Sequence, residues 1–247
     1  MTILSILFFI TAILYSSVGF GGGSTYLALL LIWGTPYYIF PIIALVCNII
    51  VVSGNSFNYI RAGNHNFKLL TPFLIGSVPF AFFGGTLLID KEIFEILLFF
   101  VLSSAGILLL LNNRSYEKAS FSIKKLNFIS SFLIGSILGL ISGVVGIGGG
   151  IFLSPILFLI KADEPKNIST HASVFILINS ISGVMGQLTK ETLLNEITNY
   201  WPLFICVLLG GFIGNYLNLK IFSGRLLAIT TSLLVIFVAI RMGFKIF

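Results

Sequence analysis

Val18-Gly19-Phe20-Gly21-Gly22-Gly23 recurs as Val145-Gly146-Ile147-Gly148-Gly149-Gly150, and each copy lies inside a long run without charge. The offset is 127 residues (145 − 18) in a chain of 247. Glycine disfavours helix by about 1 kcal/mol per residue, so each cluster is expected to break the helix that enters it. An uncharged run of this length crosses or enters a bilayer. Duplicated, glycine-interrupted hydrophobic segments are the best sequence pointer to a transporter's substrate site near the membrane midplane.

The rest of the chain extends the duplication. Ser53-Gly54 matches Ser182-Gly183, Pro72 matches Pro202 and Gly84 matches Gly214, at offsets of 129 to 130. Apolar residues make up 57% of the chain and charged residues 9%, with a mean hydropathy of +1.09, which excludes a soluble domain. Runs at 2–33, 37–60, 69–89, 93–111, 126–160, 167–189, 197–219 and 226–240, uncharged but for Glu95 near the start of the fourth, predict an all-α polytopic membrane protein of about eight segments. They divide into a repeat over 1–111, a polar linker over 112–125 carrying Arg114, Glu117, Lys118, Lys124 and Lys125, and a second repeat over 126–247. The net charge of +6 sits in short loops, so it reads as a topology determinant and not as a nucleic-acid surface. Cys47 and Cys206 are isolated in apolar segments, which leaves no disulfide framework, no metal motif and no call for a cofactor. The hydrophobic start, with no basic leader or cleavage site, reads as the first helix.

Two topologies compete. With eight simple crossings, the 14 Lys and Arg residues divide 9 to 5, with both termini inside. If the first and fifth segments re-enter and return, the division is 10 to 4, gathering Arg61, Lys68, the linker cluster, Lys161, Lys166, Lys220 and Arg225 inside. The second division fits the positive-inside rule better, and three true crossings per half make the repeats inverted.

Non-helical backbone at membrane depth survives only where it is buried in protein or lines a cavity, so the breaks predict a cavity. Helices restarting at Ser24 and Ile151 would present N-terminal N–H groups, which suit an anion. The site residues expected there are Gly21, Gly22, Gly23 and Ser24 in the first copy and Gly148, Gly149, Gly150 and Ile151 in the second. Asn48 and Asn55, seven apart on one helical face, and Ser173 and Asn179, nearly so, are the expected lining groups. His171, near the start of its segment, is the one titratable side chain well away from the charged loops and a possible proton-coupling group. A plainer account exists for each: glycines allow tight helix packing, and intramembrane Asn and Ser bond neighbouring helices. A nucleotide loop is excluded, because Ser24 and Ile151 stand where G-x-G-x-x-G needs its third glycine and no P-loop lysine follows.

With its paired glycine runs, Ser154-Pro155 after the second, the Gly76–Gly85 and Gly210–Gly214 segments and the four-plus-four layout, the chain resembles the TauE/SafE sulfite-exporter family, also called the sulfonate-uptake-permease superfamily. That resemblance covers nearly the whole chain and implies transport of a sulfur oxyanion or small organosulfonate, usually as export.

The expectation is therefore a multi-pass secondary transporter in the bacterial inner membrane. Its partners are the bilayer and a small anion, sulfite or an organosulfonate, with no nucleic acid. No Asp or Glu lies in the interior of a segment, Glu95 being near an end of its own, so a proton-relay carboxylate is missing, and an inside-negative potential alone suffices to drive anions out. The rival readings are an uptake permease for another small organic anion, an assembly subunit, and a membrane-embedded enzyme. The enzyme would need clustered His, Asp, Glu or Cys.

Overall fold

The computed structural model describes residues 1–63, 66–112, 127–160, 162–190 and 196–216, and beyond these only 233, 236, 237, 239, 240, 243 and 244. His65, the linker from 113 on, Lys220, Arg225, Arg241, Lys245 and most of the segment at 226–240 lie outside the described residues.

The described residues form nine α-helices: α1 Thr2–Val18, α2 Gly23–Trp33, α3 Phe40–Arg61, α4 Phe67–Thr86, α5 Lys91–Asn112, α6 Phe128–Val145, α7 Gly150–Leu159, α8 Pro165–Gln187 and α9 Trp201–Tyr216. Helix is what an apolar chain must form in lipid, where every backbone amide has to find its partner within the segment. Among the described residues, four stretches are long and apolar enough to cross a membrane: Tyr37–Arg61, Phe67–Thr86, Phe128–Val145 and Asn167–Gln187. Thr2–Ser17 and Gly23–Trp33 are shorter apolar helices. Phe83, Ile75, Leu208 and Phe212 point outward, as apolar side chains facing lipid do.

Close glycine contacts give the helix directions. A Cβ on Gly135, Gly139 or Gly143 of α6 would run into the carbonyl of Phe73, Ser77 or Ala81 of α4, so these two helices are parallel and nearly touch at the backbone. On α8, Ser182 Oγ donates to the Val78 carbonyl at 2.6 Å and Gly186 faces Phe82, which sets α8 parallel to α4 as well. On the other side, Gly210 and Gly214 of α9 face the carbonyls of Phe9 and Ile13 of α1. Asn58 Nδ2 donates to Asn215 Oδ1 at 3.0 Å while Gly211 lies beside Val51, so α1, α3 and α9 are parallel to one another. Lipid offers no hydrophobic drive for helix pairing; such close backbone approach supplies the van der Waals contact that replaces it. At the positions of Gly135, Gly139 and Gly143, less the 127-residue offset, α1 has Phe8, Ala12 and Ser16. There the small partners come mainly from α9, with Ser16 Oγ donating to the Gly211 carbonyl at 2.8 Å.

These directions constrain the two broken segments. Since α1 and α3 run the same way, and α3 follows α2 after a short turn, α2 returns toward the face where α1 began. By the same logic α7 returns toward the face where α6 began, because α6 and α8 are parallel. Phe8 and Tyr26, with ring centroids 4.7 Å apart, hold the first pair together.

Gly139→Val is expected to destabilise the protein by about 1–3 kcal/mol, because α4 and α6 must move apart to admit the side chain. Leu133→Ala, at an outward-facing position, is expected to stay within about 0.5 kcal/mol. Unfolding by detergent titration compares the two.

Candidate functional site

α1 stops because Gly19 takes a left-handed φ of 84°, and the chain turns again at Gly22, φ 83°, before α2 begins. The second copy repeats this, with Gly146 at φ 90° closing α6 and Gly149 at φ 75° preceding α7. Residues with a Cβ rarely adopt these conformations, which is why the clusters are glycine. The helices restart at Gly23 and Gly150, one residue before the expected Ser24 and Ile151, because Gly22 and Gly149 act as the caps.

The two breaks meet at Asn48, in the middle of α3. A Cβ on Gly23 would lie 2.8 Å from Asn48 Nδ2, and one on Gly148 the same distance from that atom. A Cβ on Gly21 would collide with Asn48 Oδ1. Ile176 of α8 approaches Gly21, Gly148 and Gly150, so α3 and α8 supply the two walls between which the breaks converge. Asn48 Nδ2 reaches the Gly146 carbonyl at 3.5 Å, and Ser173 Oγ donates to the Gly19 carbonyl. Gly19 and Gly146 are equivalent positions of the duplication (146 − 19 = 127), and each carbonyl is held by a side chain from the other half.

The electrostatics follow from the helix ends. The first amides of α2 and α7 have no acceptor within their own helices and carry partial positive charge. The last carbonyls of α1 and α6 bring partial negative charge to the same place, and the bonds from Ser173 and Asn48 offset it at Gly19 and Gly146. No Lys, Arg, Asp or Glu is present in either glycine cluster, in α2 or in α7. Ser24 Oγ, Asn48 Oδ1 and Ser180 Oγ are buried here without hydrogen-bond partners. The arrangement therefore offers amide, hydroxyl and helix-end donors but no fixed cation, which suits an anion that must bind and then leave.

Other expected residues are placed differently. Gly22 packs on Tyr15 and Tyr26, and Gly149 on Phe175, so both serve the turn and its packing. Ile151 is buried just inside α7. Asn55 is fully buried one level further along α3, with neither amide atom bonded. Asn179 Nδ2 donates within its own helix to the Phe175 carbonyl at 2.9 Å, leaving Oδ1 unpartnered. His171 sits apart from the breaks, near the start of α8, where its Nε2 accepts the Asn66 backbone N–H at 3.1 Å. Ser16, Ser182 and Gln187 bond neighbouring helices, the last donating to the Gly143 carbonyl at 2.9 Å. Ser180 and Ile176 were not legible as site residues, although Ser180 is seven residues beyond Ser173, the spacing that singles out Asn48 and Asn55. Among the described residues no three His, Cys, Asp or Glu side chains are grouped to hold a metal.

Beyond the second break a cavity of about 220 Å³ opens between Tyr37, Tyr38, Pro41, the Leu87–Asp90 turn, Phe94, Val144 and Lys190. Burial pulls the Lys190 ammonium below the usual lysine pKa, and it donates to Gln187 Oε1 at 2.9 Å.

The family model for the sulfite exporter TauE/SafE matches residues 4–242. The chain belongs to the TauE/SafE sulfite exporter family. It is 27% identical over 233 residues to a probable membrane transporter protein of Sinorhizobium fredii, covering 94% of this chain and 93% of that one. It is 32% identical over 200 residues to a probable membrane transporter protein of Methanocaldococcus jannaschii, covering 77% and 73%. No solved structure matches it. This TauE/SafE member is thus a multi-pass membrane transporter and not an enzyme.

Gly148→Ala is expected to cost about 1–2 kcal/mol more stability than Gly21→Ala, because Gly148 has φ 80° whereas Gly21 is not in the left-handed region. Thermal unfolding in detergent measures the difference; equal losses would mean that crowding against Asn48, common to both, outweighs backbone strain.

Proposed function

We propose that this TauE/SafE member is a secondary transporter that exports a small anion, sulfite or an organosulfonate, through a site where its two broken helices meet. The observation that carries the reading is Asn48, placed against both glycine breaks at once among unpartnered buried polar atoms and two helix N-termini. The family name supplies the sulfur oxyanion; the site supplies the preference for an anion without a fixed cation.

In this reading the halves at 1–111 and 126–247 are inverted repeats related by a pseudo-twofold axis in the membrane plane. Each half contributes three crossings and one re-entrant hairpin, α1 with α2 from one face and α6 with α7 from the other. The parallel directions of α1 with α3, and of α6 with α8, support that arrangement, as does the 10 to 4 division of Lys and Arg. Movement of one half against the other would open Asn48 to each face in turn. Placement in a bacterial inner membrane belongs to the same proposal. An inside-negative potential of 100 mV biases a monoanion outward by about 2.3 kcal/mol, about fiftyfold in concentration ratio.

Sulfite or an organosulfonate trapped in proteoliposomes is expected to leave faster than from protein-free vesicles, and faster still under an inside-negative potential. Asn48→Leu is expected to slow efflux about tenfold or more while folded protein remains, the cost of one hydrogen bond to a charged group. Efflux no faster than from protein-free vesicles would refute the transport reading. Potential-independent efflux would leave a carrier that moves no net charge.

A further inference from the structure

A second polar cluster lies at the end of α8 remote from Lys190, and the proposed translocation site makes no use of it. Asp163 follows the end of α7 in a segment the sequence places in a loop, yet the residue is only 4% exposed. Its Oδ1 accepts the Glu164 backbone N–H at 2.8 Å and Asn167 Nδ2 at 2.9 Å. Its Oδ2 has no hydrogen-bond partner and lies 4.0 Å from Nε2 of His171, itself 1% exposed. Nε2 accepts the Asn66 N–H, and a nitrogen accepting a hydrogen bond carries no proton. Asn66 caps α4, with its side chain accepting from Leu69 N.

Two interactions thus compete for one nitrogen. The buried carboxylate favours a proton on Nε2; the Asn66 N–H excludes one. Taking up a proton breaks the tie between α8 and the cap of α4 and directs the new N–H toward Asp163 Oδ2. The charged groups on the elements packed at this end are Arg61 on α3, Lys68 on α4 and Glu164 at the α8 cap, all exposed; α6 and α7 bring none. His65, Lys161 and the side chain of Lys166 lie outside the described residues.

We propose that Asp163 and His171 form a proton-binding site that couples anion movement at the glycine breaks to protonation at the face where α4 and α8 begin. The link is mechanical. Asp163 closes the return of α7 from the second break, where the Ala162 N–H bonds the Leu157 carbonyl at 3.0 Å, and His171 joins that turn to α4. One proton binds and one is released per cycle, with no other covalent bond made or broken. Asp163, outside every predicted segment, thus supplies a buried carboxylate that the segments themselves lack. The proposal rests on the transport reading above, but the proton site itself is measurable without a substrate.

The chain has two histidines, so their ring signals in nuclear magnetic resonance spectra of the detergent-solubilised protein are assigned with a His65→Gln variant. His171 is expected to titrate as a single proton between about pH 5 and pH 8, with a midpoint that moves by about one unit or more in Asp163→Asn. A His171 signal constant across that range, or a midpoint unmoved by Asp163→Asn, would overturn the proton site. Flux of an organosulfonate, whose charge is constant over this range, is then followed in proteoliposomes. The wild-type rate is expected to change severalfold with pH, and His171→Gln and Asp163→Asn to flatten that profile. Variants that lower the rate uniformly and keep the wild-type profile would show a structural role only. Titration of His171 with no flux of any sulfonate or sulfite at any pH would retain the proton site, refute its coupling to those anions and refute the substrate reading.

Discussion

Every backbone amide in a bilayer must be satisfied by protein, because lipid offers no alternative partner. Gly19–Gly22 and Gly146–Gly149 violate regular helix inside apolar segments, so the surrounding structure has to compensate for both. It does so by bringing the two irregular stretches together between α3 and α8, where Asn48 and Ser173 bond the carbonyls that the helix ends leave over. The tight α4–α6 and α1–α9 pairings hold the broken helices at that meeting point. The arrangement also disposes of unfavourable charge. Two helix C-termini facing an anion would repel it, and their capped carbonyls leave the N-terminal ends of α2 and α7 as the effective field.

The glycine breaks were legible from the sequence because consecutive glycines disfavour helix more than the spaced glycines that pack helices together, and the duplication doubled the signal. Asn48 was legible as a polar residue in a hydrophobic helix. What it contacts was not, since its position against both breaks depends on the crossing of α3 with α8 and on how close α6 comes to α4. Ile176 carries no chemical signal at all, and only its seven-residue spacing from Ser173 set Ser180 apart from serines such as Ser182 that join helices. Helix restart positions were missed by one residue because left-handed glycines at 22 and 149 cap the helices themselves. Asp163 drew no notice in the sequence for a different reason: it lies between two apolar runs, and only the return of α7 folds that loop inward.

The site and the proton pair divide the labour in a way that suits the chain's composition. With few charged residues in its segments, the proposed anion site relies on dipoles and hydroxyls, which would keep affinity low enough for release. The buried ionisable pair sits to one side, where it can alter helix contacts without placing a permanent charge in the anion's path.

The central claim, that an anion occupies the space between the two glycine breaks, is tested most directly by protection of cysteines placed at Ser24 and Ile151 in a background lacking Cys47 and Cys206. Sulfite or an organosulfonate is expected to slow labelling of both positions by a water-soluble thiol reagent, while cations of similar size leave it unchanged. Labelling that proceeds at both positions and is indifferent to every anion would contradict the account.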